Sequence, residues 1–291
     1  MGKVNIVLDA SMMDLYQLCE ARFNYRHNLN RVAVQKAKPL DRGSLVHTGL
    51  EAYYTHLKKD GYTFATRTMV DAVQLASADT DLDVDTSKRV IDVLHEYTAF
   101  WKQSDQNVEV IEVERAFSYI LHEDEDVRII MAGKIDLLIN DDKYHHLPWD
   151  HKSYDRDYPT RRMTNQFCNY AIATNSNYLL VNKIGFQTSL AAKDKFKRIP
   201  LSYDPLFLEQ WKKNTILWAH RYLESVATDT WPMNLTSCDK YNRLCEYYEV
   251  CDASGEEAKI YKLRADFKTG EVWDVSKRLG LRSNAVVTRD K

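Results

Sequence analysis

The sequence predicts an α/β protein in which a mostly helical N-terminal part precedes a β-rich section. Helical patterns occupy most of the first hundred residues, and β-rich runs separated by turn signals follow them. Two further helices accompany the later strands. The predicted helices are residues 12–28, 42–59, 64–77, 86–102, 164–173 and 205–227, and the predicted strands are 108–120, 127–139, 144–152, 178–190 and 196–201.

The ends and contacts of the first helices follow from individual residues. Ser11 is predicted to be the N-cap of the first helix, with Asp14 in its first turn. Gly43, Ser44 and Gly49 are small residues of the second helix, and they would allow another backbone to approach closely.

The composition describes an ordinary globular protein. Charged residues make up 28% and hydrophobic residues 44% of the 291 residues. With a formal net charge of -2, any binding to a polyanion must come from a local basic patch. No apolar run approaches the length of a membrane span, and the N-terminus lacks a signal-peptide pattern. We therefore expect a cytosolic protein without contact to a membrane.

The cysteine pattern favours a metal or cluster site over disulfides. Five cysteines, an odd number, occur in a chain without an export signal, so we expect no disulfide framework. Three of them lie between Cys238 and Cys251. Cys19 could simply pack in the core, which is the commonest fate of a free cysteine, and we expect the same of Cys168.

The most informative stretch runs from residue 129 to residue 153. Two β-rich runs flank the turn signal at residues 140–142, which predicts a β-hairpin. Asp150 and Lys152 are two residues apart and therefore point to the same face of their strand. Asp136 is a charge within an apolar run, and a buried carboxylate needs a partner or a metal. Two carboxylates and a lysine on one face are what metal-assisted phosphodiester hydrolysis requires.

A bare Asp-x-Lys pattern has little weight, because the chain contains two others. Asp141-Asp-Lys143 falls in a turn, and Asp266-Phe-Lys268 follows no strand of suitable length. For Asp136, Asp150 and Lys152 the alternative is a surface ion pair. Pro148 inside the same strand predicts a bulge or a sheet edge there.

Two further features admit two interpretations each. His47 could be a structural histidine or a metal ligand. The segment 154–162 mixes basic and aromatic residues, and it could be a solvated loop or a nucleic-acid contact. The residues of that segment considered for such a contact are Tyr154, Arg156, Arg161 and Arg162.

Four of these signals, in this order and approximate spacing, resemble the PD-(D/E)XK nuclease superfamily. They are His47 after Gly43-Ser-Leu-Val, Asp136 after Gly133-Lys-Ile, Asp150-His-Lys152, and Gln166-x-x-x-Tyr170. The RecB-like branch, which includes the AddB nuclease domain and the CRISPR-adaptation exonucleases, is the most similar. The resemblance covers roughly residues 11–251 and implies a restriction-endonuclease-like fold, with a mixed central β-sheet flanked by helices.

The resemblance also implies roles for individual residues. His47, Asp136, Asp150 and the main-chain carbonyl of His151 would bind Mg²⁺ or Mn²⁺. Lys152 would contact the nucleophilic water. Gln166 and Tyr170 would help to position the substrate and the active-site helix.

Members of this branch often carry a [4Fe-4S] cluster on one early cysteine and three late ones. Cys19, Cys238, Cys245 and Cys251 fit that arrangement. Zinc accepts the same four ligands and is the alternative. Either group would link the N-terminal helix to the C-terminal segment.

From the resemblance we expect one nuclease domain over residues 1–251 and a C-terminal extension over 252–291. Its parts are a helical part (1–105), a sheet core with the active site (106–202) and a helix with the cysteine segment (203–251). The expected activity is exonucleolytic hydrolysis of single-stranded DNA or DNA ends. It would serve recombination, repair or replication, with protein partners of such a complex, in the cytoplasm of a bacterium or a bacteriophage-infected host. An endonuclease with the same core and a non-catalytic DNA-binding scaffold subunit are the alternatives.

Overall fold

The protein is described here by a computed structural model, which covers residues 3–34, 38–78, 84–240, 243–270 and 274–275. Runs of helices and runs of strands both occur along the chain. In chain order the elements are β1 (Val4–Asp9), α1 (Ala10–Leu18), α2 (Glu20–Phe23), a π-helical turn (Asn24–Asn28), β2 (Arg31–Ala33), α3 (Lys38–Asp60), α4 (Ala65–Ala78), α5 (Val84–Asp105), β3 (Glu109–Glu123), β4 (Val127–Asn140), β5 (Leu147–Tyr154), α6 (Asn165–Ala173), β6 (Tyr178–Gly185), α7 (Ala192–Lys195), β7 (Phe196–Ser202), α8 (Pro205–Thr228), a 3-10 turn (Leu235–Ser237), β8 (Asp239–Lys240), β9 (Arg243–Leu244), α9 (Tyr248–Asp252), α10 (Glu256–Ala265) and β10 (Phe267–Thr269).

Among the described residues, six strands form a mixed sheet, which confirms the predicted fold class. Their order is β1-β4-β5-β6-β7, and β3 also pairs with β4. The β1–β4 and β5–β6 pairs are parallel, whereas the β4–β5 and β6–β7 pairs are antiparallel. The predicted hairpin is therefore confirmed, and its register sets Leu137 opposite Trp149.

Pro148 lies inside β5, which pairs with strands on both sides. Its Cα partner on β4 is Leu138, while the pairing with β6 begins one residue later, at Trp149. The proline therefore occupies a position with a neighbouring strand on one side only. β5 as a whole is an interior strand, so the predicted edge is limited to this end of the strand.

The chain divides into two compact units. Unit 1 comprises Met1–Lys36, Ser118–Gly133 and Glu209–Lys291, and unit 2 comprises Ala37–Phe117 and Lys134–Leu208. The boundaries predicted at residues 105, 202 and 251 stay predictions.

In unit 2, the hydrophobic core joins helices α3, α4 and α5 to the strands of the sheet. Gly49 of α3 is essential to this packing, since a Cβ atom there would lie 2.5 Å from Leu94 Cδ1 and 2.9 Å from Val73 Cγ2. The prediction that another backbone approaches this glycine is wrong, because its close neighbours are side chains of α4 and α5.

In unit 1, the predicted helix over residues 12–28 is wrong in its start and in its continuity. The N-cap of α1 is Asp9, whose side chain accepts the Met12 N–H at 2.8 Å, and Ser11 is already inside the helix. The helix begins earlier than predicted because β1 ends at Asp9 and the helix follows it directly. β1 is not among the strands predicted from the sequence. Cys19 then adopts an extended conformation, with φ of -167°, and separates α1 from α2.

The C-terminal residues described in unit 1 form an ordered pairing. β10 pairs antiparallel with β2, so that Phe267 lies opposite Ala33. Tyr247 stacks between Tyr25, at a ring distance of 5.2 Å, and Phe267, at 4.8 Å. No helix in the described ranges is long and apolar enough to cross a membrane.

Candidate active site

Unit 2 assembles the residues that the sequence singled out on four neighbouring elements. His47 lies on α3, Asp136 on β4, Asp150 and Lys152 on β5, and Gln166 with Tyr170 on α6. Thr164 caps α6 by accepting the Phe167 N–H at 3.1 Å. Gln166 and Tyr170 are four residues apart on this helix, so their side chains lie on one face, about one turn apart.

Asp136 is buried and held by the main chain of the facing strand. The His151 N–H donates to its Oδ2 atom at 2.7 Å, and His47 Nδ1 lies 3.7 Å from the same oxygen. Burial raises the pKa of the Asp136 carboxyl to about 7, although the hydrogen bond from His151 opposes the rise.

Asp150 is 0% exposed and carries an oxygen without a hydrogen-bond donor. Lys152 Nζ donates to Oδ1 at 3.1 Å and lies 3.0 Å from Oδ2. Oδ2 nevertheless accepts no hydrogen bond of acceptable geometry from any residue the structure describes. Burial raises the pKa of Asp150 to about 6, more than the charge of Lys152 lowers it. A buried carboxylate oxygen of this kind is suited to a cation.

Glu114 belongs to the same site and was not among the predicted residues. Ligand atoms of His47, Glu114 and Asp136 all lie within 4.8 Å of one another. Glu114 also pairs with Lys134, and its backbone has a φ of 52°, which is left-handed and uncommon for a residue other than glycine. Such strain is often found at functional sites. Nothing in the sequence separates Glu114 from Glu109 or Glu112 of the same strand, so it could not have been selected beforehand.

The donor set fits a hard divalent cation. Carboxylate oxygens dominate it, and His47 adds one imidazole. Burial lowers the pKa of His47, so the ring is neutral at pH 7 and a nitrogen lone pair is available for a metal. His47 also hydrogen-bonds to the backbone of His151, so this main chain lies at the site as well.

A chain of hydrogen bonds orients Lys152. Its Nζ atom donates to Gln166 Oε1 at 3.1 Å, and Gln166 Nε2 donates to the Tyr170 hydroxyl at 2.9 Å. That hydroxyl donates in turn to the Lys134 carbonyl at 2.6 Å. Burial lowers the pKa of Lys152, but the charges of Asp150 and Asp136 outweigh this, so the pKa is raised and the ammonium persists.

His151 is fixed by a buried network behind the site. Asn182 Nδ2 donates both to His151 Nδ1, at 2.9 Å, and to the Tyr97 hydroxyl, at 2.8 Å. The Tyr54 ring stacks on the imidazole at 5.8 Å with an interplanar angle of 11°. Burial holds the pKa of His151 well below its usual range, so the ring is neutral. The network thereby fixes the backbone that donates to Asp136.

Comparison with known families identifies this arrangement. A family model described as the PD-(D/E)XK nuclease superfamily matches residues 8–252. The chain belongs to this superfamily. A search of the curated proteins finds no match. Membership makes the protein a metal-dependent nuclease, for which DNA is the implied substrate.

The loop beyond the nuclease motif differs in exposure along its length. Arg156, Arg161 and Arg162 are exposed, and Arg162 donates to the Ser202 carbonyl at 3.3 Å. Tyr154, in contrast, is buried and donates its hydroxyl to the Lys195 carbonyl at 2.9 Å. Tyr158 is partly exposed. Burial raises the pKa of the Tyr158 hydroxyl. The charge of Lys152 lowers this pKa and that of Asp150 raises it, so the Tyr158 ring lies near the active site.

The four cysteines considered for a cluster lie in unit 1. Burial raises the pKa of the Cys251 thiol to about 11, and coupling to the thiols of Cys19, Cys245 and Cys238 adds to the rise. The four sulfur atoms are therefore near enough to interact, although among the described residues no three of them lie within 4.8 Å of one another. The Asn234 N–H donates to Cys19 Sγ at 3.5 Å. Cys168 is buried in unit 2, as predicted.

Proposed function

We propose that the protein is a Mg²⁺- or Mn²⁺-dependent deoxyribonuclease of the RecB-like branch, acting as an exonuclease on single-stranded DNA or DNA ends. The observation that carries the catalytic part is the fully buried Asp150, whose Oδ2 atom accepts no hydrogen bond from the described residues and lies 3.0 Å from Lys152 Nζ. A buried carboxylate oxygen that accepts no hydrogen bond is available as a ligand for a divalent cation.

His47, Asp136, Asp150 and the His151 carbonyl would hold the cation, and Glu114 is a further candidate ligand. When bound, the cation polarises the scissile phosphate and lowers the pKa of water. Lys152 remains protonated, and its ammonium holds the attacking water by a hydrogen bond. Gln166 and Tyr170 do not contact the reacting atoms in this scheme; they keep Lys152 in position.

The loop after β5 would present the substrate. Arg156, Arg161 and Arg162 offer exposed guanidinium groups, which bind phosphate oxygens well. Tyr158 offers a ring on which a base can stack. The buried ammonium of Lys183 pairs with Asp157 and lies 4.3 Å from the Tyr158 ring centroid, so the loop is anchored beside the site. Tyr154 also contributes to this anchoring, since its ring centroid lies 4.9 Å from the Lys183 ammonium.

Topologically distinct substrates test the exonuclease proposal. We expect end-labelled linear single-stranded DNA to be degraded with Mg²⁺ or Mn²⁺, while covalently closed single-stranded circles stay intact, because only linear DNA offers an end. The release of label from the linear DNA and the amount of intact circular DNA are both measured over time. Cutting of the circles would instead identify an endonuclease with the same core. Binding to both DNAs without cutting of either would favour the scaffold subunit.

We also propose that Cys19, Cys238, Cys245 and Cys251 hold a [4Fe-4S] cluster. Mutual electrostatic effects among the four thiols support it. Zinc, which accepts the same four thiolates, is the alternative. The cluster would be structural and would tie the segment after α8 to the break between α1 and α2.

Anaerobic purification tests the cluster. Brown protein with broad visible absorption and about four iron atoms per chain is expected. Cys251→Ser should lower the iron content and the absorption together, whereas Cys168→Ser, at the cysteine outside the set, should leave both unchanged. Colourless wild-type protein containing stoichiometric zinc would exclude the cluster. We further propose a role in DNA recombination, repair or replication, with protein partners, in the cytoplasm of a bacterium or a bacteriophage-infected host.

A further inference from the structure

Unit 1 contains a second group of metal-ligand side chains that the nuclease reaction does not use. It consists of His122 near the end of β3, Asp124 in the turn between β3 and β4, and His220 on α8. One ligand atom from each lies within 4.8 Å of those from the other two. In the described part of the chain, two groups bring three such ligand atoms within 4.8 Å of one another: this one and the group at the active site.

The carboxylate of this group is oriented by the turn in which it lies. Asp124 Oδ1 accepts the main-chain N–H groups of Asp126, at 2.9 Å, and Val127, at 2.8 Å. Its Oδ2 atom is thereby directed to the side of His122, whose Nε2 lies 3.0 Å away. A ligand held by the backbone in this way loses little conformational entropy when it binds a metal.

His220 supplies the third ligand from a different element. The rings of His122 and His220 lie 5.8 Å apart, at an interplanar angle of 69°. Two imidazoles that meet at an angle can direct their lone pairs to one point. In the described structure, Asp124 is paired with His122 and with no lysine or arginine. Two histidines and one carboxylate form a donor set that binds first-row transition metals in preference to Mg²⁺.

We propose that His122, Asp124 and His220 form a second metal site, specific for a borderline divalent cation such as Zn²⁺, Co²⁺ or Ni²⁺. The site is distinct in chemistry from the oxygen-rich active site. Its partly exposed position leaves coordination positions for water. A metal ion bound there links α8 to the turn between β3 and β4 and thereby stabilises unit 1 against unfolding.

Calorimetric titration with Ni²⁺ tests the site in full-length, untagged protein, with excess Mg²⁺ present to occupy the active site. The wild type is expected to bind one more Ni²⁺ than His220→Ala, or to bind it at least about tenfold more tightly. His145→Ala, a change at an exposed histidine outside either group, should behave as the wild type. Ni²⁺ should also raise the unfolding temperature of the wild type more than that of His220→Ala.

Equal Ni²⁺ stoichiometry and affinity in the wild type and His220→Ala would overturn the proposal. If His220→Ala does not fold, His122→Gln gives the same comparison, because glutamine keeps a polar side chain of similar reach but is a poor ligand. The titration contains no DNA, so its outcome does not depend on the nuclease activity. Rates of DNA hydrolysis with Mg²⁺ should be the same in the wild type and either histidine variant.

Discussion

Lys152→Ala should lower the rate of DNA hydrolysis by about 10²- to 10⁴-fold, the range typical of a lost positioning or proton-transfer group. The Lys152 ammonium is fixed by Asp150 and Gln166 at 3.1 Å each, and alanine can neither hold the attacking water nor stabilise developing negative charge. Initial rates on end-labelled single-stranded DNA with saturating Mn²⁺ measure the effect. The loss should fall on kcat rather than on KM, because substrate binding relies on other groups.

The chain supplies a matched control for this variant. Lys143 belongs to a second Asp-x-Lys pattern, but that pattern lies in the turn between β4 and β5. There Asp141 Oδ1 accepts the main-chain N–H of Lys143 at 2.8 Å and that of Tyr144 at 2.7 Å. Lys143→Ala should therefore retain wild-type activity. Equal residual activity in Lys152→Ala and the wild type would show that the hydrolysis comes from a contaminant or from another site.

Asp150→Asn should abolish activity and at the same time stabilise the metal-free protein at neutral pH. Burial raises the pKa of Asp150 to about 6 and that of Asp136 to about 7, from an ordinary aspartate value of 3.8. A carboxyl with a raised folded-state pKa contributes most to stability below its unfolded-state pKa, near 4, and the contribution is lost as the pH rises through the folded-state pKa. The metal-free wild type should therefore lose stability between about pH 4 and pH 7 because of these two groups.

Asparagine has the shape of the protonated acid and no charge to desolvate. Above pH 7 the gain in the free energy of unfolding should be on the order of a few kcal/mol, since each unit of pKa shift corresponds to about 1.4 kcal/mol. Thermal unfolding in EDTA, recorded from pH 4 to pH 8 for the variant and the wild type, measures the difference. With Mn²⁺ the order should reverse above pH 7, because only the wild type offers the carboxylate to the cation.

Asp142→Asn provides the corresponding control, as Asp142 is exposed in the turn between β4 and β5. Its stability should follow the wild type at each pH. A difference between Asp150→Asn and the wild type that does not change with pH would contradict the assigned role of the buried carboxylate.

Local patterns in the sequence were sufficient to predict most elements and the central hairpin. The turn at residues 140–142 and the two-residue spacing of Asp150 and Lys152 depend only on neighbours in the chain, which is why they could be read directly. The spacing of Gln166 and Tyr170 likewise depends only on the helical period, and both lie on α6 as expected. The start of the first helix was missed, since β1 fixes it by pairing in parallel with β4.

The sequence by itself determined the α/β class, the carboxylate and lysine of the hairpin, and the family to which their order points. The tertiary structure alone decided that Glu114 joins His47 and Asp136, that Asp150 Oδ2 is buried without a hydrogen bond, and that β10 pairs with β2. These features arise from contacts between residues far apart in the chain and, for Glu114, from a left-handed backbone conformation. Neither leaves a periodic pattern in the sequence, because both depend on how complete strands pair and not on the preferences of adjacent residues.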